Sequence, residues 1–531
     1  MSKEGKLLKN SAGVSLATLA SRITGLVRVK LEAMALGGGS TATIWAITLM
    51  LPNLSRRLLG EGALGTALTP VVAENERAYG IETVRIQLAQ ILCLLGAVLA
   101  LIVIIVSVGA YFLGNWAEKF GSEFLKSDRV LGVCELLPLI MPYAFFICLT
   151  GVIGAVLNYA GIFVRPALTA LLFNFCMIGG LLAGVFFDLS PVKLLTLLAL
   201  LTPAAGAVQL VLMLWMLRCC GRFPHFCRRA FESLTFVKKV VKLAVPGILS
   251  YGVLQFSFLL DRTFALYLGD QAVPALSYVD RIIDLPIGLF AVSLGSVLMA
   301  SMTHAAADND RQAMSDQLNF SLRHVWFIGA PMAAAVMFFH PEIISVICLG
   351  GKYTRSDLDA ARMVAVFYGM GIPFFCSLKV LLPAFYSRKD MKRPLKVSCI
   401  AFFVNLICNL LLMFPLQQGG IALATVISSM VNNTLLLLYL YRDGLKVNRH
   451  TLFCVVRSVI IAGISAFAVW LILPYLQKLL LVPSQFLSDL LILAAVGMLF
   501  GIFFALLAFI CRSPELREFF SILRRKKKKS A

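Results

Sequence analysis

Charged residues are scarce in this sequence. Asp, Glu, Lys and Arg make up 14% of the 531 residues, 60% are hydrophobic, and the mean hydropathy is +0.88. Soluble domains carry about 25% charged residues, so the composition excludes a soluble globular protein. Apolar stretches long enough to cross a bilayer of about 30 Å recur along the whole chain. The short alternating strands of a β-barrel are not seen. We therefore predict an all-α polytopic membrane protein.

Catalytic motifs are also missing. The five His are scattered, and the sequence contains no HExxH, GxSxG or P-loop pattern. We expect no enzymatic activity and no organic cofactor.

The 13 Cys do not resemble a disulfide framework. Most lie inside apolar runs, as Cys148 and Cys408 do, and are predicted to be small buried hydrophobic residues. The basic loop "RCCGRFPHFC" is different, because it combines three Cys with one His. Its spacing fits no common zinc site, so plain thiols are favoured over a metal centre.

Acidic residues are few relative to basic ones, with 27 Asp and Glu against 48 Lys and Arg. The excess could indicate nucleic-acid binding. The basic residues instead gather in alternate loops, such as "YSRKDMKRPLK" and "YRDGLKVNRH". This is the positive-inside pattern, so no nucleic-acid partner is expected and both termini are predicted to be cytoplasmic. The "RRKKKK" tail most simply attracts anionic membrane lipid.

Hydropathy predicts fourteen membrane spans, with the longest basic loop after the sixth. This divides the chain into an N-terminal bundle (1–220), a C-terminal bundle (235–442), a final pair of spans (450–512) and a basic tail (513–531). The spans lie near 9–36, 41–73, 83–114, 131–158, 163–187, 192–217, 236–268, 271–305, 319–348, 357–386, 394–415, 418–441, 451–476 and 486–511.

The second and eighth spans are weakly alike. "LPNLSRRLLGEGALGTALTP" and "DLPIGLFAVSLGSVLMASMTH" both have Leu-Pro followed by Gly and small residues. Their matching positions suggest a duplicated bundle that binds substrate between its halves.

Several charges lie inside predicted spans, where they are costly and mark polar cavities. Arg22 and Arg28 of the first span are six residues apart, which offsets them by about 120° and about 9 Å, so they can border one cavity. The second span adds Arg56, Arg57 and Glu61 after Pro52, and Arg57 and Glu61 are spaced as an i,i+4 ion pair. The eighth span adds Asp280, Arg281 and Asp284.

Arginines from several helices would form a pocket for an anionic substrate, because guanidinium groups hold phosphate oxygens bidentately. We predict Arg22, Arg28, Arg56 and Arg281 as its substrate-binding residues. Residues predicted to support the cavity are Ser21, Pro52, Asn53, Arg57, Glu61, Asp280 and Asp284. For any single arginine, snorkelling to the interface or pairing with Glu32, Glu61 or Asp280 remains an alternative.

A second group of residues is rich in oxygen ligands. It comprises Asp261, the i,i+4 pair Asn405 and Asn409, and Thr425. One carboxylate with amide and hydroxyl oxygens suits a small hard cation such as Na⁺. Inter-helix hydrogen bonding is the alternative explanation.

Four stretches resemble the MurJ (MviN) lipid II flippases, which belong to the multidrug, oligosaccharide-lipid and polysaccharide exporter superfamily. They are "ASRITGLVR", "LPNLSRRLLGEGALGTALTPVVAE", "YVDRIIDLPIGLFAVSLGSVLMASM" and "LLPAFYSRKDMKRP". The resemblance runs in order over essentially the whole chain.

The resemblance implies a flippase in the bacterial inner membrane. Its substrate would be lipid II, an undecaprenyl diphosphate bearing a disaccharide-pentapeptide, moved to the periplasmic leaflet by alternating access for cell-wall synthesis. The arginines that match Arg22, Arg28, Arg56 and Arg281 line a central cavity in the family. The family's sodium site falls on Asp261, Asn405, Asn409 and Thr425. Its last two spans form a groove for the lipid tail. Cell-wall synthesis enzymes are further candidate partners.

The sequence departs from many relatives at three positions. Thr43 and Met50 stand where an Asp and a Lys are frequent, and Val29 stands where an Asp often follows the second arginine. A mechanism that needs those charges is therefore not expected here. Alternatives are a cation or drug antiporter or a polysaccharide-lipid flippase of the same superfamily, a lipid-modifying enzyme, and a scaffold without transport activity.

Overall fold

The computed structural model describes residues 3–60, 63–226, 234–308, 310–388 and 390–518. Within these ranges the regular structure is helical, apart from one β-bridge between Gly350 and Tyr353. The helices are α1 (Lys3–Leu36), α2 (Ser40–Ser55), α3 (Ala63–Phe120), α4 (Asp128–Ile140), α5 (Pro142–Tyr159), α6 (Val164–Phe186), α7 (Pro191–Cys219), α8 (Thr235–Leu268), α9 (Ala272–Pro286), α10 (Val292–Ala307), α11 (Arg311–Cys348), α12 (Arg355–Tyr386), α13 (Lys392–Arg442), α14 (Arg449–Leu479) and α15 (Gln485–Ile510).

The prediction of an all-α polytopic membrane fold is confirmed. In the described part of the chain, nine helices are long and apolar enough to cross a membrane. Two long helices contain backbone breaks at predicted span boundaries. In α3 the break is at Gly80 (φ 80°, ψ 177°), between predicted spans two and three. In α13 it is at Gln417 (φ 48°, ψ −133°), between predicted spans eleven and twelve.

The two spans predicted to be alike share a local structure. In the second span, Pro52 is buried in α2 and a π-helical turn follows at Arg56–Gly60. In the eighth span, α9 ends at Pro286 and a π-helical turn follows at Ile287–Ala291. Proline lacks the N–H that would close the turn before it, so each π-turn follows a helical turn that has lost a hydrogen bond. The weak sequence similarity therefore corresponds to a repeated irregularity in the backbone.

The chain forms two compact units. The first contains Met1–Arg262, Gly269–Pro274 and Gly350–Thr354. The second contains Thr263–Leu268, Ala275–Leu349 and Arg355–Ala531.

The core of the first unit is apolar and closely packed. One cluster joins α3, α5, α7 and α8, and a second joins α1, α2, α4, α6 and α7. The π-turn of the second span packs directly on α5, where a Cβ added to Gly151 would lie 2.7 Å from the carbonyl oxygen of Gly60. Glycine at this position allows the two backbones to touch.

Two loops from later in the sequence complete the first unit. In Gly269–Pro274, the carbonyl of Asp270 accepts a hydrogen bond from Thr43 Oγ1 at 2.6 Å, and its carboxylate pairs with Arg129 Nε at 2.9 Å. In Gly350–Thr354, the N–H of Lys352 donates to the Met34 carbonyl at 2.8 Å. These contacts attach both loops to α1, α2 and α4.

The loop after α7 is attached to α3 near the Gly80 break. Arg222 forms a two-point ion pair with Glu76, at 2.5 and 2.8 Å, and Arg85 Nε donates to the Phe223 carbonyl at 2.9 Å. The Glu76 carboxylate raises the pKa of the Arg222 guanidinium above its usual value. The ion pair between Glu76 of α3 and Arg222 of the loop, together with the Arg85 hydrogen bond, holds this basic loop to the bundle.

In the second unit, α14 and α15 pack against α11. Their shared apolar cluster includes the small residues Ala330 and Ala334 of α11 and Ala462 and Ala466 of α14. Alanines four residues apart lie on one helix face and let helices approach closely in a membrane. The final helical pair is therefore part of the second unit.

Candidate functional site

Arg28 is the most deeply buried of the predicted substrate-binding arginines, with 7% of its surface exposed. Its Nε lies 3.2 Å from Glu32 Oε1 on the next turn of α1, and its guanidinium carbon is 5.2 Å from the centre of the Phe173 ring of α6. The pairing with Glu32, expected as an alternative, is thus present. A buried arginine held by a carboxylate and an aromatic face has a defined direction, which is what recognition of an anionic group requires.

The seam between α1 and α6 also positions Ser21 and Arg22. Asn174 Nδ2 donates to the Ser21 carbonyl and to Thr24 Oγ1, both at 3.1 Å. Ser21 therefore contributes its backbone carbonyl to the seam, and the adjacent Arg22 is half-buried. The analysis of the sequence missed Phe173 and Asn174. An Asn within the apolar run "LLFNFC" was the signal that could have identified the latter.

Arg56 and Arg57 begin the π-turn after Pro52 and differ in solvent exposure. Arg56 is half-buried, whereas Arg57 is exposed. Arg57 Nη1 donates to Gln255 Oε1 of α8 at 3.3 Å. The predicted partner Glu61 lies outside the described residues. Near the turn, Asn53 Nδ2 donates to the Leu49 carbonyl at 2.9 Å, which ties the supporting residue Asn53 to the backbone of α2.

α8 contributes a further arginine to the first unit. Arg262 is 4% exposed, adjoins the buried Asp261, and places its guanidinium carbon 4.7 Å from the centre of the Phe258 ring. Arg57 lies over the same ring at 5.7 Å. The sequence-based prediction did not include Arg262, although a charged pair inside an apolar span was its visible signal.

Arg281 belongs to the second unit. It lies in α9, one turn before the π-turn, and is half-buried. Asp280 beside it is also half-buried, whereas Asp284 is exposed. The structure thus groups Arg22, Arg28 and Arg56 in the first unit, and the convergence of Arg281 with them stays a prediction.

Of the predicted sodium ligands, Asp261 belongs to the first unit, and Asn405, Asn409 and Thr425 belong to the second. Asn405 and Asn409 are fully buried on one face of α13, and Asn409 Nδ2 donates to Asn405 Oδ1 at 3.1 Å. Thr425 follows the Gln417 break and donates to the Ile421 carbonyl at 3.1 Å, while Asp261 is 3% exposed in the first unit. Among the described residues no three His, Cys, Asp or Glu side chains form a metal cluster. The sodium site built from amide, hydroxyl and carboxylate oxygens stays a prediction.

The three residues that depart from the expected family pattern, Thr43, Val29 and Met50, are all buried or half-buried. Thr43 is fully buried and uses its hydroxyl to bind the Asp270 carbonyl. Val29 is 1% exposed and packs in the interior. Met50 is half-buried.

Comparisons with known proteins agree on the family. The family model described as "Lipid II flippase MurJ" matches residues 33–491. The "Probable lipid II flippase MurJ" of Rhizobium tropici is 30% identical over 473 residues, covering 87% of each chain. The "Lipid II flippase MurJ" of Burkholderia cenocepacia is 29% identical over 432 residues, covering 81% of this chain and 82% of the relative.

Solved structures share the fold. A structure titled "Lipid II flippase MurJ, inward closed conformation" matches with a TM-score of 0.73 at 21% identity, covering 93% of this chain and 98% of that one. An inward-facing multidrug resistance MATE family transporter matches with a TM-score of 0.64 at 15% identity, covering 82% and 99%. From the family model and the relatives together, the chain belongs to the lipid II flippase MurJ family.

Proposed function

We propose that this protein is a flippase that moves lipid II across the membrane for peptidoglycan synthesis. The observation that carries the proposal is the family match over residues 33–491, which includes the π-turn that begins at Arg56. Lipid II presents a diphosphate, and arginine binds such groups with paired hydrogen bonds. A MATE-type drug antiporter has the same fold but would need acids and aromatics, where this chain places arginines.

The mechanism needs no covalent chemistry. The polar headgroup must be shielded from hydrocarbon while the lipid tail stays in the bilayer, and alternating access achieves this. We assign Arg22, Arg28, Arg56 and Arg281 to the headgroup. The π-turns after Pro52 and Pro286 are weak points where these spans can bend, because their helical hydrogen bonding is already irregular.

Directional transport needs an energy source. A membrane potential supplies about 2.3 kcal/mol per charge for each 100 mV. We propose that Na⁺ bound by Asp261, Asn405, Asn409 and Thr425 couples transport to this source. If Asp261→Ala leaves transport and its dependence on Na⁺ unchanged, the coupling is refuted.

We also propose the setting in which the protein works. The basic loops and tail support placing both termini in the cytoplasm, with the protein in the bacterial inner membrane. Lipid II and membrane lipids are its proposed partners, together with cell-wall synthesis enzymes. We propose that it acts only as a transporter and catalyses no reaction.

Depletion of the protein in its host tests the function. We expect the lipid-linked precursor to accumulate on the cytoplasmic leaflet, and the wild-type gene to restore its appearance outside. Arg28→Ala and Arg281→Ala should fail to restore it at normal membrane levels of protein. Arg362→Ala, which removes an exposed arginine of α12, is the matched control and should restore it. An unchanged precursor distribution on depletion would refute the proposal.

A further inference from the structure

Side chains from three helices meet near the end of α11. Gln477 Nε2 of α14 donates to Glu342 Oε1 at 3.1 Å. One turn beyond Glu342, the Ser345 hydroxyl donates to Asp489 Oδ2 of α15. Residues three apart on a helix share a face, so the contacts place Glu342 and Asp489 in one polar cluster.

A break in α11 precedes this cluster. Phe339 has non-helical angles (φ −115°, ψ 21°), and Pro341 has no N–H to offer the Met337 carbonyl. His340 Nδ1 donates to that carbonyl instead, at 3.0 Å. Broken helices are where membrane transporters commonly build ion sites, since the altered backbone direction turns polar groups inward.

The charge of the cluster is not balanced by its surroundings. Glu342 is 8% exposed, and its Oε2 has no hydrogen-bond partner within the part of the chain that the structure describes. Arg362 of α12 is the nearby cation, but it is exposed and pairs with Asp359 at 3.0 Å. His340 is engaged with the backbone. Two carboxylates in one cluster repel each other unless one of them is protonated or a cation lies between them.

We propose that Glu342 and Asp489 form a binding site for one small metal cation. The carboxylate oxygens supply the negative charge, and Ser345 Oγ and Gln477 Oε1 are neutral oxygen donors beside them. Hard cations such as Na⁺ and Ca²⁺ take oxygen ligands of this kind. The site shares no residue with Asp261, Asn405, Asn409 and Thr425. Bound cation would join α11, α14 and α15 and fasten the last helical pair to the second unit.

Thermal unfolding of the purified full-length protein tests the site. The protein is prepared as Asp261→Ala, which removes the other proposed cation ligand, and is heated in NaCl, KCl, CaCl₂ or choline chloride at equal ionic strength. Ligands that bind only the folded state raise its Tm. We expect at least one metal salt to raise Tm above choline, and Glu342→Gln and Asp489→Asn each to abolish that rise. Asp359→Asn, the exposed control carboxylate, should leave it intact.

Direct binding of ²²Na⁺ or ⁴⁵Ca²⁺ provides a measurement independent of unfolding. The two substitutions are nearly isosteric, so equal retention on size-exclusion chromatography verifies that the variants are folded. The proposal is overturned if no metal salt exceeds choline, in which case a proton neutralises the pair. It is also overturned if Glu342→Gln and Asp489→Asn keep the full metal response. If Glu342→Gln or Asp489→Asn abolishes the metal-dependent rise in Tm while transport continues, this cation site is not required for the proposed flippase activity.

Discussion

The ion pair between Arg457 and Glu515 should contribute strongly to the stability of the second unit. Glu515 follows α15 and is fully buried, and its Oε2 lies 2.7 Å from Arg457 Nη2 of α14. Arg323 of α11 lies on its other side, with Nη1 3.9 Å from Oε1. The buried Glu515 carboxylate therefore links α11 and α14 to the segment that follows α15.

The expected loss of unfolding free energy follows from the burial of this ion pair. At an effective dielectric constant of about 20, a unit pair at this separation attracts by roughly 6 kcal/mol, most of which offsets desolvation. Removing one partner of a buried pair leaves the other uncompensated and costs about 3–5 kcal/mol. We expect Arg457→Met to destabilise the protein by this amount. Arg457→Met combined with Glu515→Leu should recover most of the loss, because the buried Glu515 charge is then gone and Arg323 keeps its pair with Glu518 at 3.7 Å.

The control is the pair between Arg362 and Asp359. It has a similar separation of 3.0 Å, but its side chains are 54% and 61% exposed. Exposed pairs contribute only about 0–1 kcal/mol, so Arg362→Met should change stability little. Chemical denaturation and thermal unfolding in detergent measure the stability of the three variants and of the wild type. If Arg457→Met and Arg362→Met cost the same, burial does not govern these pairs and the reasoning is refuted.

Three further predictions concern the first unit. Glu32→Gln removes the charge that pairs with Arg28 and should lower transport by roughly 10- to 100-fold in the leaflet assay, which corresponds to about 1.4–2.8 kcal/mol; full activity would show that Arg28 needs no anchor. Gly351→Ala should lower Tm more than Gly80→Ala, because both have positive φ but only Gly351 would place its Cβ 2.4 Å from a carbonyl oxygen; equal shifts would contradict the close packing. Asn174→Leu removes two hydrogen bonds across the α1–α6 seam and should cost about 1–3 kcal/mol in chemical denaturation, whereas unchanged stability would mean the seam is held by apolar contacts alone.

Features that depend on local sequence could be predicted. The apolar runs indicated the helices, and the likeness between "LPNLSRRLLG" and "DLPIGLFAVS" corresponded to two π-turns after proline. The spacing of Asn405 and Asn409 predicted a shared helix face, and their hydrogen bond confirms it. Each of these depends on residues close in sequence, whose geometry the helical repeat sets.

Partners from distant helices could not be predicted. The stacking of Arg28 on Phe173 and the pairing of Arg57 with Gln255 depend on how separate helices are rotated about their axes. Hydropathy is nearly uniform around a membrane helix, so it does not specify that rotation. Arg262 contacts Phe258 on its own helix, which the sequence spacing allows. Its burial depends on neighbouring helices, and for that reason the sequence did not identify it as an interior residue.

The sequence by itself determined that this chain is a bundle of membrane helices with charges embedded in them. About twenty apolar residues rising 1.5 Å each must span a bilayer, whatever their neighbours are. Only the tertiary structure decided which group each charge meets. Ser345 and Asp489 are 144 residues apart, and they meet because α11 and α15 pack against each other in a shared apolar cluster.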